Sequence, residues 1–202
     1  FSAKRILESF RPPKNAPDFY YALVGRTLMM GGYWMINTYL LYIAQDYIFA
    51  GNANATSLAA ELIASMAVIT LAVSLVAALG TGPITDHIGR RKLPVALASV
   101  MFAIGSAMPL IFQSALGMYL FAGIAGLGYG VYNAIDQALN VSVLPNPDEA
   151  GKDLGILNLA NTLSMVIGSL MTSAIVVIVK NITHTTTTPT SAYTVVFIVA
   201  II

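Results

Sequence analysis

The stretch Gly82 to Lys92, GPITDHIGRRK, carries a proline, an acid, a histidine and three consecutive cations. It lies between two of the most apolar segments of the chain, ELIASMAVITLAVSLVAALGT (Glu61–Thr81) and LPVALASVMFAIGSAMPLIF (Leu93–Phe112). A charged knot between two long apolar runs is the pattern of a loop between membrane spans, with lipid on either side and water or headgroups at the knot. Arg90, Arg91 and Lys92 suit the anionic inner leaflet, where each cation is worth about 1 kcal/mol. Gly82 and Pro83 are expected to end a helix, because proline lacks the amide donor and glycine tolerates a turn.

The rest of the chain agrees with that solvent. Of its 202 residues 57% are hydrophobic and 9% charged, against about 25% charged in a typical soluble domain, and the mean hydropathy is +0.76. The apolar blocks are long enough for helices that cross a hydrocarbon core about 30 Å thick. Spans are expected near 19–48, 58–81, 93–112, 116–144 and 154–179, with a sixth beginning near Ala192. From Ala192 to Ile202 the helix is only about 16 Å long, so the sixth span reads as cut short. The first residue is Phe, and no short apolar region with a cleavage site follows it, so the chain reads as a fragment without a signal peptide. With no cysteine there is no disulfide or thiolate chemistry, and a net charge of +1 does not favour nucleic acid.

Orientation follows from the cations. Lys4, Arg5, Arg11 and Lys14 precede the first span, Arg90, Arg91 and Lys92 join the second to the third, and Lys152 follows the fourth; the opposite side holds Lys180 alone. By the positive-inside rule the N-terminal segment and GPITDHIGRRK are cytoplasmic.

The spacing Gly82-x-x-x-Asp86-x-x-Gly89-Arg90-Arg91-Lys92 is more specific than an anchor requires. It resembles the signature loop of the major facilitator superfamily, which recurs in weaker form in the second half of those proteins. The resemblance runs over nearly the whole chain, and it implies an all-α polytopic membrane protein. The architecture would be the C-terminal six-helix bundle of that fold (helices 7 to 12), made of two inverted three-helix repeats, with residues 1–17 as the cytoplasmic linker between halves and 18–202 as the bundle. It implies a bacterial cytoplasmic membrane, a partner N-terminal half, a small-molecule substrate and no cofactor or metal. YLLYIAQD (Tyr39–Asp46) and IDQALNVSVLPNPDEAGKDLGILN (Ile135–Asn158) are similar to stretches of uncharacterised bacterial members, the second also, distantly, to glycoside and sugar-cation symporters. In the family the loop braces one gating state, which assigns Gly82, Asp86, Gly89, Arg90, Arg91 and Lys92 to a gate, with Asp86 and Arg90 favouring the outward-facing state. His87 stands where many members carry a cation.

Two ionisable residues fall inside spans, where an unpaired charge costs several kcal/mol. Arg26 and Asp136 each lie roughly 12 to 14 Å from the cytoplasmic end of their helices, so an ion pair is permitted. An acid so placed is a candidate proton carrier, provided the pair loosens during the cycle. Helical spacing puts Tyr129, Tyr132, Asn133, Asp136 and Asn140 on one face with Gln137 at its edge. Arg26, Tyr33 and Asn37 share a face of the first span, with Trp34 close by, and Asn158, Asn161, Thr162, Ser169, Thr172 and Ser173 share one on the fifth. Such amides, hydroxyls and rings suit an uncharged, sugar-like or drug-like solute. Equally, Ser, Thr and Asn glue helices together at about 0.6 kcal/mol per contact. Gly126, Gly128 and Gly130 read as a site of close helix contact, and Asp46 and Glu61 as interfacial.

The expected function is therefore secondary transport by alternating access, coupled to a proton or another cation. A membrane-embedded enzyme is the alternative from another class, but the chain has no H-E-x-x-H or G-x-S-x-G, and its two histidines, His87 and His184, both fall in connections. A non-transporting structural or receptor-like subunit is the third reading.

Overall fold

The computed structural model describes residues 16–88, 92–142 and 150–202, with the side chains of 84, 86–88, 92, 137–142 and 150 left aside. The described elements are helices α1 (Pro17–Asn37), α2 (Leu40–Ile43), a π-helical turn (Ala44–Ile48), α3 (Ala55–Ile88), α4 (Lys92–Ile111), α5 (Ala115–Ser142), α6 (Ala150–Ile182) and α7 (Thr190–Ile201). Among the described residues four stretches are long and apolar enough to cross a membrane: Ala55–Pro83, Leu93–Ile111, Ala115–Asp136 and Gly151–Ile182. In the most apolar window of α3 only 17% of residues are buried within the protein. A helix that apolar and that exposed requires lipid around it, since soluble proteins rarely expose apolar patches beyond a few hundred Å².

Two helix ends differ from the expectation. The first span does not run unbroken from 19 to 48 but stops at Asn37 and restarts at Leu40. At the break the Tyr39 amide turns back to the Ile36 carbonyl, 3.2 Å away, instead of continuing the regular ladder. The Met35 carbonyl, which Tyr39 would have served in an unbroken helix, accepts instead from the buried Thr172 hydroxyl of α6 at 2.9 Å. Thr38 and Ser169 share a second hydroxyl contact at 3.0 Å. Two members of the polar stripe on α6 thus secure a helix break. The second difference is at Gly82 and Pro83, which do not end a helix: α3 continues through Pro83 to Ile88. A proline removes one ladder bond and one donor, and helices in or next to a membrane absorb that loss because the extended alternative would leave more backbone groups unpaired.

Helix α5 packs against both α3 and α4, helices α1, α6 and α7 pack together, and α4 meets α7. Taking α1, α3, α4 as one unit and α5, α6, α7 as another, the contact of α3 with α5 matches that of α6 with α1. The contact of α4 with α5 likewise matches that of α7 with α1. The core includes Met30, Ile36, Ile43, Tyr47, Met118, Phe121, Tyr193 and Phe197. Its tight crossings are made by glycine. A Cβ on Gly128 would lie 2.6 Å from the Ala98 carbonyl oxygen of α4, and one on Gly130 would lie 2.9 Å from Ala77 Cβ of α3. The G-x-G-x-G pattern therefore lets α5 seat a different helix on each side.

The end of α4 is closed by the π turn. Ile111 is the last helical residue, so the Pro109 carbonyl has no intrahelical donor. It accepts from the buried Tyr47 hydroxyl at 3.1 Å, while the Gln113 amide returns the favour to the Tyr47 carbonyl at 3.0 Å. Tyr47→Phe keeps the ring against Phe197 and Tyr193 but orphans the Pro109 carbonyl. It is expected to lower stability by about 1–3 kcal/mol, measured as a fall in the thermal unfolding midpoint in detergent.

Candidate functional site

Arg26 of α1 and Asp136 of α5 meet at 2.7 Å between Nη1 and Oδ2, with both side chains 4% exposed. Tyr132, one turn before Asp136, hydrogen-bonds to the same carboxylate, so this acid is held from two sides. Elsewhere on the same two helices Tyr33 stacks on Tyr129, with ring centroids 3.8 Å apart and planes within 8°. Going from Arg26 to Tyr33 advances α1 by two turns, about 10.5 Å, and going from Asp136 to Tyr129 retreats α5 by the same amount. The two helices are therefore antiparallel, joined by an ionic rung and an aromatic rung. They are also the first helices of the two matching units, so the equivalent elements run in opposite directions.

Above the aromatic rung lies a cleft of about 450 Å³, lined by Tyr33 and Asn37 of α1, Leu40 of α2, Ile63, Met66, Ala67, Thr70, Leu71 and Ser74 of α3, and Phe121, Gly126 and Tyr129 of α5. That volume is within the range of small-molecule sites. The Asn37 side-chain amide donates to the Tyr33 carbonyl at 3.1 Å, and its oxygen remains a hydrogen-bond acceptor. Trp34 packs edge-on against Tyr33 at 5.6 Å.

Of the residues expected at the site, the structure thus gathers Arg26, Tyr33, Asn37, Tyr129, Tyr132 and Asp136. It does not gather Asn133, Asn158 and Asn161, which are exposed and do not line the cleft. The side chain of Gln137 lies outside the described residues, as do Gly89, Arg90 and Arg91 and the side chains of Asp86 and Lys92. Gly82 is exposed and helical. Asp46 is half-buried, its carboxylate accepting from the Tyr193 hydroxyl of α7 at 3.2 Å, and Glu61 is exposed.

Two features escaped the sequence reading. Helix α3 was assigned no cavity residue, yet Thr70 and Ser74, one turn apart, face the cleft; two hydroxyls at helical spacing in an apolar run were the available signal. Asp153 falls just before the expected span 154–179, yet it is 1% exposed in the first turn of α6, where a carboxylate complements the helix dipole.

A polytopic helical bundle with a buried ion pair between its two matching units and a ligand-sized cleft beside it is the architecture of a membrane carrier. The family model of the Major Facilitator Superfamily matches residues 22–202, and the chain belongs to that family. It is thus a multi-pass membrane protein of the major facilitator kind, a family of transporters. Comparison with curated proteins and with solved structures returns no match.

Proposed function

We propose that the chain is one six-helix bundle of a secondary active transporter that moves a small uncharged solute, sugar-like or drug-like, by alternating access with proton coupling through Asp136. The observation that carries this reading is the buried Arg26–Asp136 pair, which joins the matching helices about 10.5 Å from the cleft rung. Separating α1 from α5 exposes the carboxylate to a proton and frees it from the guanidinium. Closing them restores the pair and expels the proton, so solute movement and protonation share one coordinate. A cation other than a proton, neutralising the same carboxylate, is the variant of this scheme.

In the same reading the bundle faces a second, N-terminal bundle across the central cavity, and the chain sits in a bacterial cytoplasmic membrane with its N-terminal segment inside. Asp86 and Arg90 brace the outward-facing state against that second bundle. No residue is assigned a catalytic role.

The test is Asp136→Asn in the full-length protein reconstituted in liposomes, using whichever solute of a sugar and drug-like panel stabilises the protein thermally. Accumulation driven by a pH gradient is expected to disappear while solute exchange at equal concentration persists. Undiminished accumulation by the variant overturns the coupling role of Asp136.

A further inference from the structure

The cleft itself discriminates between the two solute types left open above, and this inference rests on its being the solute site. We propose that it takes a flat, uncharged aromatic molecule, and that the stacked pair Tyr33–Tyr129 is the surface on which that molecule lies. Among the described residues, none of the side chains lining the cleft is charged. The Arg26 and Asp136 charges two turns away answer one another, so this cleft offers a permanent charge on the solute no counter-charge to offset its desolvation.

The hydrogen-bonding groups are few: Asn37, Thr70, Ser74 and the two tyrosine hydroxyls among apolar neighbours such as Met66. A sugar carries a hydroxyl on nearly every carbon, and each one buried without a partner costs about 1–3 kcal/mol. A planar ring system needs one or two polar contacts and gains from the ring faces and edges, as aromatic pairs do, with Met66 adding a polarisable contact. The amides that would have suited a hydroxyl-rich solute, Asn133, Asn158 and Asn161, lie elsewhere.

Trp34, the single tryptophan of the chain, touches Tyr33 edge-on and reports on the platform. The full-length protein is titrated with acridone, a neutral planar tricycle, with N-methylacridinium, the same shape bearing a permanent charge, and with lactose. Thermal stabilisation is read for all three. Quenching of tryptophan emission is read for the two tricycles, and the share due to Trp34 is taken from its loss in Trp34→Phe.

Acridone is expected to bind and to quench Trp34, with N-methylacridinium at least tenfold weaker and lactose without effect. Tyr129→Leu is expected to weaken acridone at least tenfold and Tyr129→Phe less than threefold. Ala67→Phe fills the cleft from an exposed position and blocks acridone without disturbing the core, which keeps the test decisive if Tyr129→Leu does not fold. Lactose stabilisation without acridone binding, equal binding of the charged tricycle, or acridone binding unchanged by Ala67→Phe would each overturn the proposal. Proton-driven uptake of a sugar would sink this proposal and leave the transport reading standing. Acridone binding without transport of any solute would do the reverse.

Discussion

Arg26→Leu is expected to destabilise the protein by about 3–5 kcal/mol, the cost of leaving one member of a buried ion pair without its partner. The carboxylate of Asp136 is 4% exposed, so water does not compensate it, and Tyr132 alone cannot neutralise it. The double replacement Arg26→Leu with Asp136→Leu removes both charges and is expected to recover most of that loss, short of the roughly 1 kcal/mol that the Tyr132 hydroxyl forfeits with its acceptor. Accumulation driven by a pH gradient would be absent in the double variant, because the protonatable group is gone. Thermal unfolding of the three proteins in detergent, beside uptake in liposomes, checks both halves. A single variant as stable as the double would show that Asp136 finds another counter-charge, and the ionic rung would lose its structural role.

Gly128→Ala is expected to cost about 3 kcal/mol or more, at or above the upper end of overpacking losses in well-packed cores. The added methyl would meet the Ala98 carbonyl and the Phe102 nitrogen, both backbone atoms, so no side-chain rotation relieves it and α4 and α5 must part. Gly105→Ala is expected to behave alike, since its Cβ would fall on the Ala125 backbone. Gly25→Ala is the control: nothing lies within 4 Å of its Cβ, and the change is expected to be neutral or slightly favourable through helix propensity. The unfolding midpoints of the three variants, with monodispersity on size exclusion, provide the measurement. Tolerance of alanine at Gly128 to within about 0.5 kcal/mol would contradict the crossing described above.

The rung geometry shows how much of the site was already written in the residue order. Arg26 and Tyr33 are spaced as Tyr129 and Asp136 are, in reverse, so an antiparallel pairing of the two helices satisfies both contacts at once. Depth from the helix ends suggested the ion pair, because a charge in lipid needs a partner and few were on offer. Nothing in the one-dimensional pattern said that the tyrosines stack, since aromatic residues at helical spacing line lipid, core and cavity alike. The polar residues of α6 were equally ambiguous: Thr172 and Ser169 serve the broken first span, while Asn158 and Asn161 stay exposed.

By itself the order of residues determined the solvent, the helical class and the family resemblance. These follow from the length and hydropathy of single segments, and a bilayer forces each segment to satisfy its own backbone. Where the chain interrupts a helix, which hydroxyl answers the freed carbonyl, and which of several polar stripes borders a cleft were decided only in three dimensions. Those outcomes depend on which neighbour arrives at a given face, and in lipid, where apolar burial no longer separates inside from outside, that choice falls to close packing at small residues and to a few polar contacts between distant segments.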